Sequence, residues 1–231
     1  LVYRSYAPRF ASEFGHEGPP TWATLDRAIP EDQRAPDSPT MLLHQKAADG
    51  NAKLHARLSE HFEIPEDFDD WLYLMQVNQA RALTTGVEWF RSRQPVCMGT
   101  LYWQLNDCWP VTSWACIDGD ERPKPLWFAT KRFYADRLLT IQPEGEGLAL
   151  FAINDTDRPW SGDVTLARRD FSGNVAATNT CSAAVAARSC EKVCDLPNDI
   201  AMPDNGTAEL VTAELGEARA TWFFKIDREL D

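Results

Sequence analysis

Val96-Cys97-Met98-Gly99-Thr100-Leu101-Tyr102-Trp103-Gln104 is the stretch whose reading decides the fold. It is a continuous apolar run holding one glycine, which is how a strand covered on both faces reads. A polar and aromatic loop follows from Leu105 to Trp114. Beyond it, Pro123 to Leu138 predicts an amphipathic helix carrying Leu126, Trp127, Ala129, Thr130, Phe133 and Tyr134. On the upstream side, Asp67 to Arg91 predicts the clearest helix. Phe68, Trp71, Leu72, Met75, Gln79, Leu83, Val87 and Phe90 recur there at three- and four-residue steps and make one mostly apolar stripe. Asp67, Asp69 and Asp70 stand at its positive dipole end, with Arg91 and Arg93 at the other. Further upstream, Pro8 to Gly15 reads as a short buried strand ending at a glycine. Residues 16–66 between them are rich in proline and loop-like. A connection of that length is functional or carries small helices, and Thr40 to Leu58 has room for one. Strand, long connection, helix, strand, loop, helix is a βαβα unit, and such units build parallel sheets.

The chain changes character near residue 138. Seven of its nine Trp lie before that point, and after it come short alternating segments separated by turns. Seven strands are expected, at 138–142, 147–154, 161–170, 174–185, 189–196, 207–215 and 219–227. Alternation is visible in Val164/Leu166 and Trp222/Phe224/Ile226, and the spacing fits an immunoglobulin-like β-sandwich. The predicted class is therefore α/β plus all-β, divided at 1–137 and 138–231.

Composition narrows the function. A hydrophobic fraction of 44% suits a globular chain rather than a disordered one. No window approaches the roughly 18 uncharged apolar residues of a membrane helix. A net charge of −12 repels phosphate backbones, so neither a nucleic-acid nor a membrane partner is expected. Cys97, Cys108, Cys116, Cys181, Cys190 and Cys194 form no Cys-x-x-Cys pair, and neither His55 nor His61 lies near one, so no metal is expected. Reduced, buried thiols in a cytoplasmic protein are the expectation, with a lysosomal or secreted protein as the alternative. The nearness of Cys190 to Cys194 keeps a disulfide open. Asn154-Asp155-Thr156 and Asn205-Gly206-Thr207 match the glycosylation acceptor pattern, which also arises by chance.

Two segments offer chemistry. Glu13 lies at the end of the first predicted strand, beside Gly15. Ligand-facing groups of parallel α/β architectures come from that edge, and a carboxylate is costly to bury there without a role or a partner. A salt bridge to Arg9 or a neighbour is the plainer reading. Trp103-Gln104-Leu105-Asn106-Asp107-Cys108-Trp109-Pro110 leaves the second strand and joins an aromatic face to amides and a carboxylate. Sugar sites use that mixture, although a Trp taken singly more often fills a core.

Together these segments resemble the β-mannosidases of glycoside hydrolase family 2. Arg9-Phe10-Ala11-Ser12-Glu13-Phe14-Gly15 is similar to the nucleophile motif of that family. Gly99 to Asp107, with Trp109-Pro110 and Ser113-Trp114, is similar to its final barrel strand and loop. His44-Gln45-Lys46, Gly50-Asn51, Tyr73-Leu74-Met75-Gln76 and Gln79-Ala80 match the intervening pattern. The resemblance implies the last two βα units of a (β/α)₈ (TIM) barrel followed by the immunoglobulin-like domain. It implies a retaining enzyme with no cofactor that releases terminal, non-reducing β-D-mannose, using two carboxyl groups about 5–5.5 Å apart. Glu13 would be the nucleophile and Trp103 the floor of the mannose subsite. Asn106 and Asp107 would line the site or hold its loop. His16 and Glu17 stand where the family has an aromatic residue and Gln, a departure that implies altered substrate contacts for this loop. Glu17 either raises the Glu13 pKa or points into solvent.

The family's acid/base glutamate follows an Asn, and this chain has no Asn-Glu pair. A complete barrel takes about 250 residues. The expectation is a carboxy-terminal portion, inactive alone, whose partner is the N-terminal remainder of the same enzyme. A non-catalytic sugar-binding or structural piece, or another family-2 exoglycosidase such as a galactosidase or glucuronidase, is the alternative.

Overall fold

The computed structural model describes residues 2–231, a mixed helix and sheet protein in two compact units. One unit is made of Ala11–Gly86 and Thr100–Arg132. The other gathers the chain before Ala11, Val87–Gly99 and Phe133–Asp231.

The first unit opens with β1 (Ala11–Phe14), followed by α1 (Trp22–Ala28), α2 (Pro39–Leu43), α3 (Gly50–Leu58) and α4 (Phe68–Arg91), the last of which runs on past the unit's boundary. The expected helix at 40–58 is two helices, broken at His44–Asp49. Ser38 opens α2 by accepting the Met41 N–H at 3.2 Å, with Pro39 in the first helical position. Asp67 caps α4 through the N–H groups of Asp69 and Asp70, at 2.8 and 3.1 Å. Its Trp71, Leu72 and Met75 are buried with Leu25, Ile29, Met41, Leu54 and Leu58 in one cluster. Four helices thereby share one apolar contact, and the Trp71 indole also donates to His55 Nε2 at 2.9 Å. Truncating Trp71 removes the largest side chain of that cluster, a loss of about 3–5 kcal/mol.

After α4 come β2 (Thr100–Tyr102) and α5 (Pro125–Phe133). β1 and β2 pair in parallel as a two-stranded sheet. The expectation of strands covered on both faces is corrected here. Val96, Met98 and Leu101 are more than half exposed, Phe10 likewise, and Glu13 is exposed. Among the described residues no third strand pairs with this sheet, so the apolar run has nothing to bury against. α5 is shorter than the predicted 123–138.

The second unit holds β3 (Arg137–Glu144), β4 (Gly147–Asn154), β5 (Trp160–Asp170), β6 (Val175–Val185), β7 (Ser189–Asp195), the short α6 (Asn198–Ala201), β8 (Glu209–Leu215) and β9 (Ala218–Phe223). The strands form antiparallel sheets in the orders β3-β4-β7 and β6-β5-β8-β9. Leu139, Ile141, Leu150 and Ala152 of one sheet meet Val164, Leu166, Ala183, Val185, Val211 and Ala213 of the other in one buried cluster. Two-residue turns at Gly145 and Gly216 adopt φ of +57° and +61°, which glycine reaches without a Cβ penalty. The Arg91 guanidinium takes the carbonyls of Phe133 and Ala135, and Asp155 at 2.7 Å.

Two side chains in this unit separate the glycosylation-like triplets. Asn154 is wholly buried and donates to Arg158 O and Ala186 O at 2.8 and 2.9 Å. Asn205 is exposed, and its Oδ1 accepts from the Thr207 N–H and hydroxyl. All six cysteines are free thiols: Cys97 and Cys116 are buried, Cys108 is exposed and the rest are part-buried. Among the described residues no helix is long and apolar enough to cross a membrane.

Candidate active site

The parallel pairing of β1 and β2 brings the two chemistry-bearing segments together. The Trp103 N–H donates to Phe14 O at 2.8 Å, so the exits of the two strands lie side by side. Gly15 makes that approach possible, because a Cβ there would stand 2.5 Å from Trp103 O and 2.9 Å from the Trp114 ring. Glu13 and the half-exposed Trp103 thus occupy the same carboxyl edge. The Trp103–Gln104 peptide bond is cis.

The loop after β1 is held from several directions. Gly18 exchanges backbone hydrogen bonds with Ser113, at 2.8 and 3.2 Å. Gln79 of α4 donates to His16 O at 2.9 Å, and Gln76, one turn earlier, donates to Pro20 O at 2.8 Å. These two amides, three residues apart on one helix face, satisfy carbonyls that no strand pairs.

Asp107 is buried and fully engaged with protein groups. Its carboxylate accepts from the Ser113 hydroxyl, from Lys46 Nζ at 3.3 Å and from Gln104 Nε2 at 3.4 Å. Its geometry holds the loop. Asn106 is exposed and turns its amide onto Asp107 O. The segment at 44–46 joins the same loop. Thr112 N–H donates to His44 O at 2.7 Å, the His44 ring reaches Pro110 O, and it lies tilted against the Trp109 ring with centroids 5.3 Å apart.

His16 and Glu17 are drawn inward rather than out to solvent. Burial pushes the Glu17 carboxyl up to about 7, against the pull of Lys53 and Lys124. Burial, with Arg57 and His61 nearby, holds His16 down to about 4. Glu17 Oε1 and His16 Nε2 are buried with no hydrogen-bond partner.

Two charged groups that the sequence reading passed over bond the segment after β1. Lys124 is fully buried and donates to Gly18 O at 2.8 Å, and burial lowers its ammonium to about 7 despite Asp107, Cys116, Asp118 and Glu17 around it. Asp118 accepts from the Thr21 and Thr24 hydroxyls, both at 2.7 Å, and from backbone N–H groups of Thr21 and Arg122. Burial raises its pKa, but these donors outweigh burial and hold it below the ordinary value. The only sequence signal for Lys124 was a charge set between Pro123 and Pro125. Among the described residues no group of three His, Cys, Asp or Glu could hold a metal ion.

No family model matches the chain. A β-mannosidase of Capra hircus is 32% identical over 160 residues, covering 64% of this chain and 18% of the relative. A β-mannosidase B of Aspergillus niger is 30% identical over 182 residues, covering 71% and 22%. The crystal structure of a β-D-mannosidase from Dictyoglomus thermophilum superposes with a TM-score of 0.91 at 30% identity, over 99% of this chain. The chain is a β-mannosidase homologue. It spans about a fifth of the length of the curated β-mannosidases it matches, and 29% of the solved one. Those homologues carry the name β-mannosidase, and the segment from β1 to α5 and the antiparallel sheets both fall within the superposed length.

Proposed function

We propose that this chain supplies the nucleophile and one wall of the sugar subsite in a retaining β-mannosidase that releases terminal β-D-mannose. One observation supports this reading above the others: the Phe14–Trp103 hydrogen bond sets an exposed carboxylate and an exposed indole on one strand edge. In that reading Glu13 attacks the anomeric carbon, the glycosidic C–O bond breaks, and a covalent glycosyl-enzyme forms for water to hydrolyse. Trp103 stacks on the sugar face, while Asp107 with Lys46 and Ser113 fixes the loop beneath it.

In the same proposal β1 and β2 are the last two strands of a (β/α)₈ barrel, residues 1–137 belong to that barrel, and residues 138–231 are an immunoglobulin-like sandwich. The acid/base carboxyl and the remaining strands lie in a preceding segment of the same enzyme, so the 231 residues alone are inactive. The test compares the chain with a longer protein carrying that segment, on an aryl β-mannoside. The chain alone should give no turnover. The longer protein should turn over, lose at least about a thousandfold in Glu13→Gln, and carry a label on Glu13 after a mechanism-based fluoro-mannoside. Reversible sugar binding with no label would favour a non-catalytic role, and turnover by the 231 residues alone would defeat the division of the site.

A further inference from the structure

β6 and β7 are edge strands, one in each antiparallel sheet, joined by the short link Ala186-Ala187-Arg188. Cys181 of β6 pairs with Val164 of β5, and Cys194 of β7 pairs with Leu150 of β4. Val164 and Leu150 both belong to the cluster between the sheets, and both cysteines pack against it. The two side chains therefore face each other across the gap, with Cys194 Sγ 2.7 Å from Cys181 Sγ. Unbonded sulfur atoms do not ordinarily pack so closely.

Cys190 is excluded from this meeting by a strand irregularity. Four residues apart, Cys190 and Cys194 would share a face of a regular strand. The register slips between Leu150↔Cys194 and Phe151↔Lys192, leaving Val193 as the extra residue. Cys190 then falls opposite Ile153, and its Sγ points at Ser92 O, 3.8 Å away. The sulfurs of Cys97 and Cys116 contact the carbonyls of Gly99 and Leu105.

We propose that Cys181 and Cys194 are a disulfide-forming pair that staples the two edge strands when the chain meets an oxidised low-molecular-weight disulfide such as oxidised glutathione. One cysteine, as thiolate, attacks a sulfur of the oxidant. The oxidant's S–S bond breaks, one glutathione thiolate leaves, and a mixed disulfide forms. The second cysteine displaces the remaining glutathione. Two thiols become one disulfide, and the oxidant takes up both electrons and both protons as two glutathione thiols. Burial and the Cys181 sulfur push the Cys194 thiol up to about 12, so exchange at neutral pH is slow.

The test equilibrates the 231-residue chain with oxidised glutathione, then alkylates it in denaturant. Exposed Cys108 is first replaced by Ser so that it takes up no glutathione, and of the five remaining cysteines three should be labelled. Trypsin cuts after Arg188 and Lys192, which puts Cys181, Cys190 and Cys194 on three peptides. A linked pair carrying Cys181 and Cys194, about 2 Da lighter than the two peptides together, is the expected product. Cys190→Ser should keep that link and Cys181→Ser should abolish it. Five labelled thiols in the Cys108→Ser chain, or a Cys190–Cys194 link in place of the predicted one, would overturn the proposal. The second is also the pattern of an unfolded chain closing its nearest thiols, so a failure to fold does not pass as support.

Discussion

A lysine with no exposed surface, flanked by two prolines, sets the electrostatics beside Glu17. The unfolded chain keeps the Lys124 proton to about 10.5, whereas the folded chain releases it near 7. Between those values the unfolded state binds more protons, so this residue makes stability rise with pH. The slope reaches at most about 1.4 kcal/mol per pH unit. Lys124→Met should therefore flatten the change in melting temperature between pH 7 and pH 9, as read by calorimetry. Glu17 acts in the other sense over a lower window. Its raised carboxyl favours the folded state below about 4.5, and that contribution fades as pH rises to about 7. The strand-end position of Glu13 was legible in the sequence, because a short run closed by Gly15 marks where a strand stops. Lys124 was not, since its acceptor Gly18 lies 106 residues away and nothing near it in the chain announces the contact.

At the level of elements, periodicity carried α4 to within a residue of its start, because an apolar stripe over 24 residues has few other ways to be buried. The segment between β1 and α4 yielded less. Its helices are short and take their stability from shared contact with Trp71, Leu72 and Met75 rather than from their own pattern. The break at His44–Asp49 answers to the loop it bonds, through Thr112 and Pro110. Strand β2 read as buried because apolar composition reports what a strand is suited to meet, not what it meets. The amide of Gln79 gives this scale its test. Gln79→Leu should leave His16 O without its donor and cost about 1–3 kcal/mol in urea denaturation. Hydrogen exchange at the Gly18 amide, which bonds Ser113, should quicken with it.

Across the whole molecule, the seven strands after residue 137 were legible because turn residues punctuate them, whereas the sheet to which each belongs was set by pairing that no local signal encodes. In the first unit, Leu101 of β2 and Leu105 just beyond it stand more than half exposed on a chain of net charge −12. An uncovered two-stranded sheet with such a surface invites association. Light scattering of the 231-residue chain should show oligomers that grow with salt, as the charges that keep copies apart are screened. A monodisperse monomer at all salt concentrations would count against it. Asn154 carries a different consequence, one of manufacture. Both hydrogens of its amide are committed to Arg158 and Ala186 in the folded chain. Sugar transfer acts on the nascent chain and replaces one of them. A secretory host that decorates this triplet would make molecules that quality control retains, while glycans on exposed Asn205 would pass. Mass mapping of secreted material should find Asn154 bare, and Asn154→Gln would not restore the yield, because the longer side chain has no room to keep both bonds.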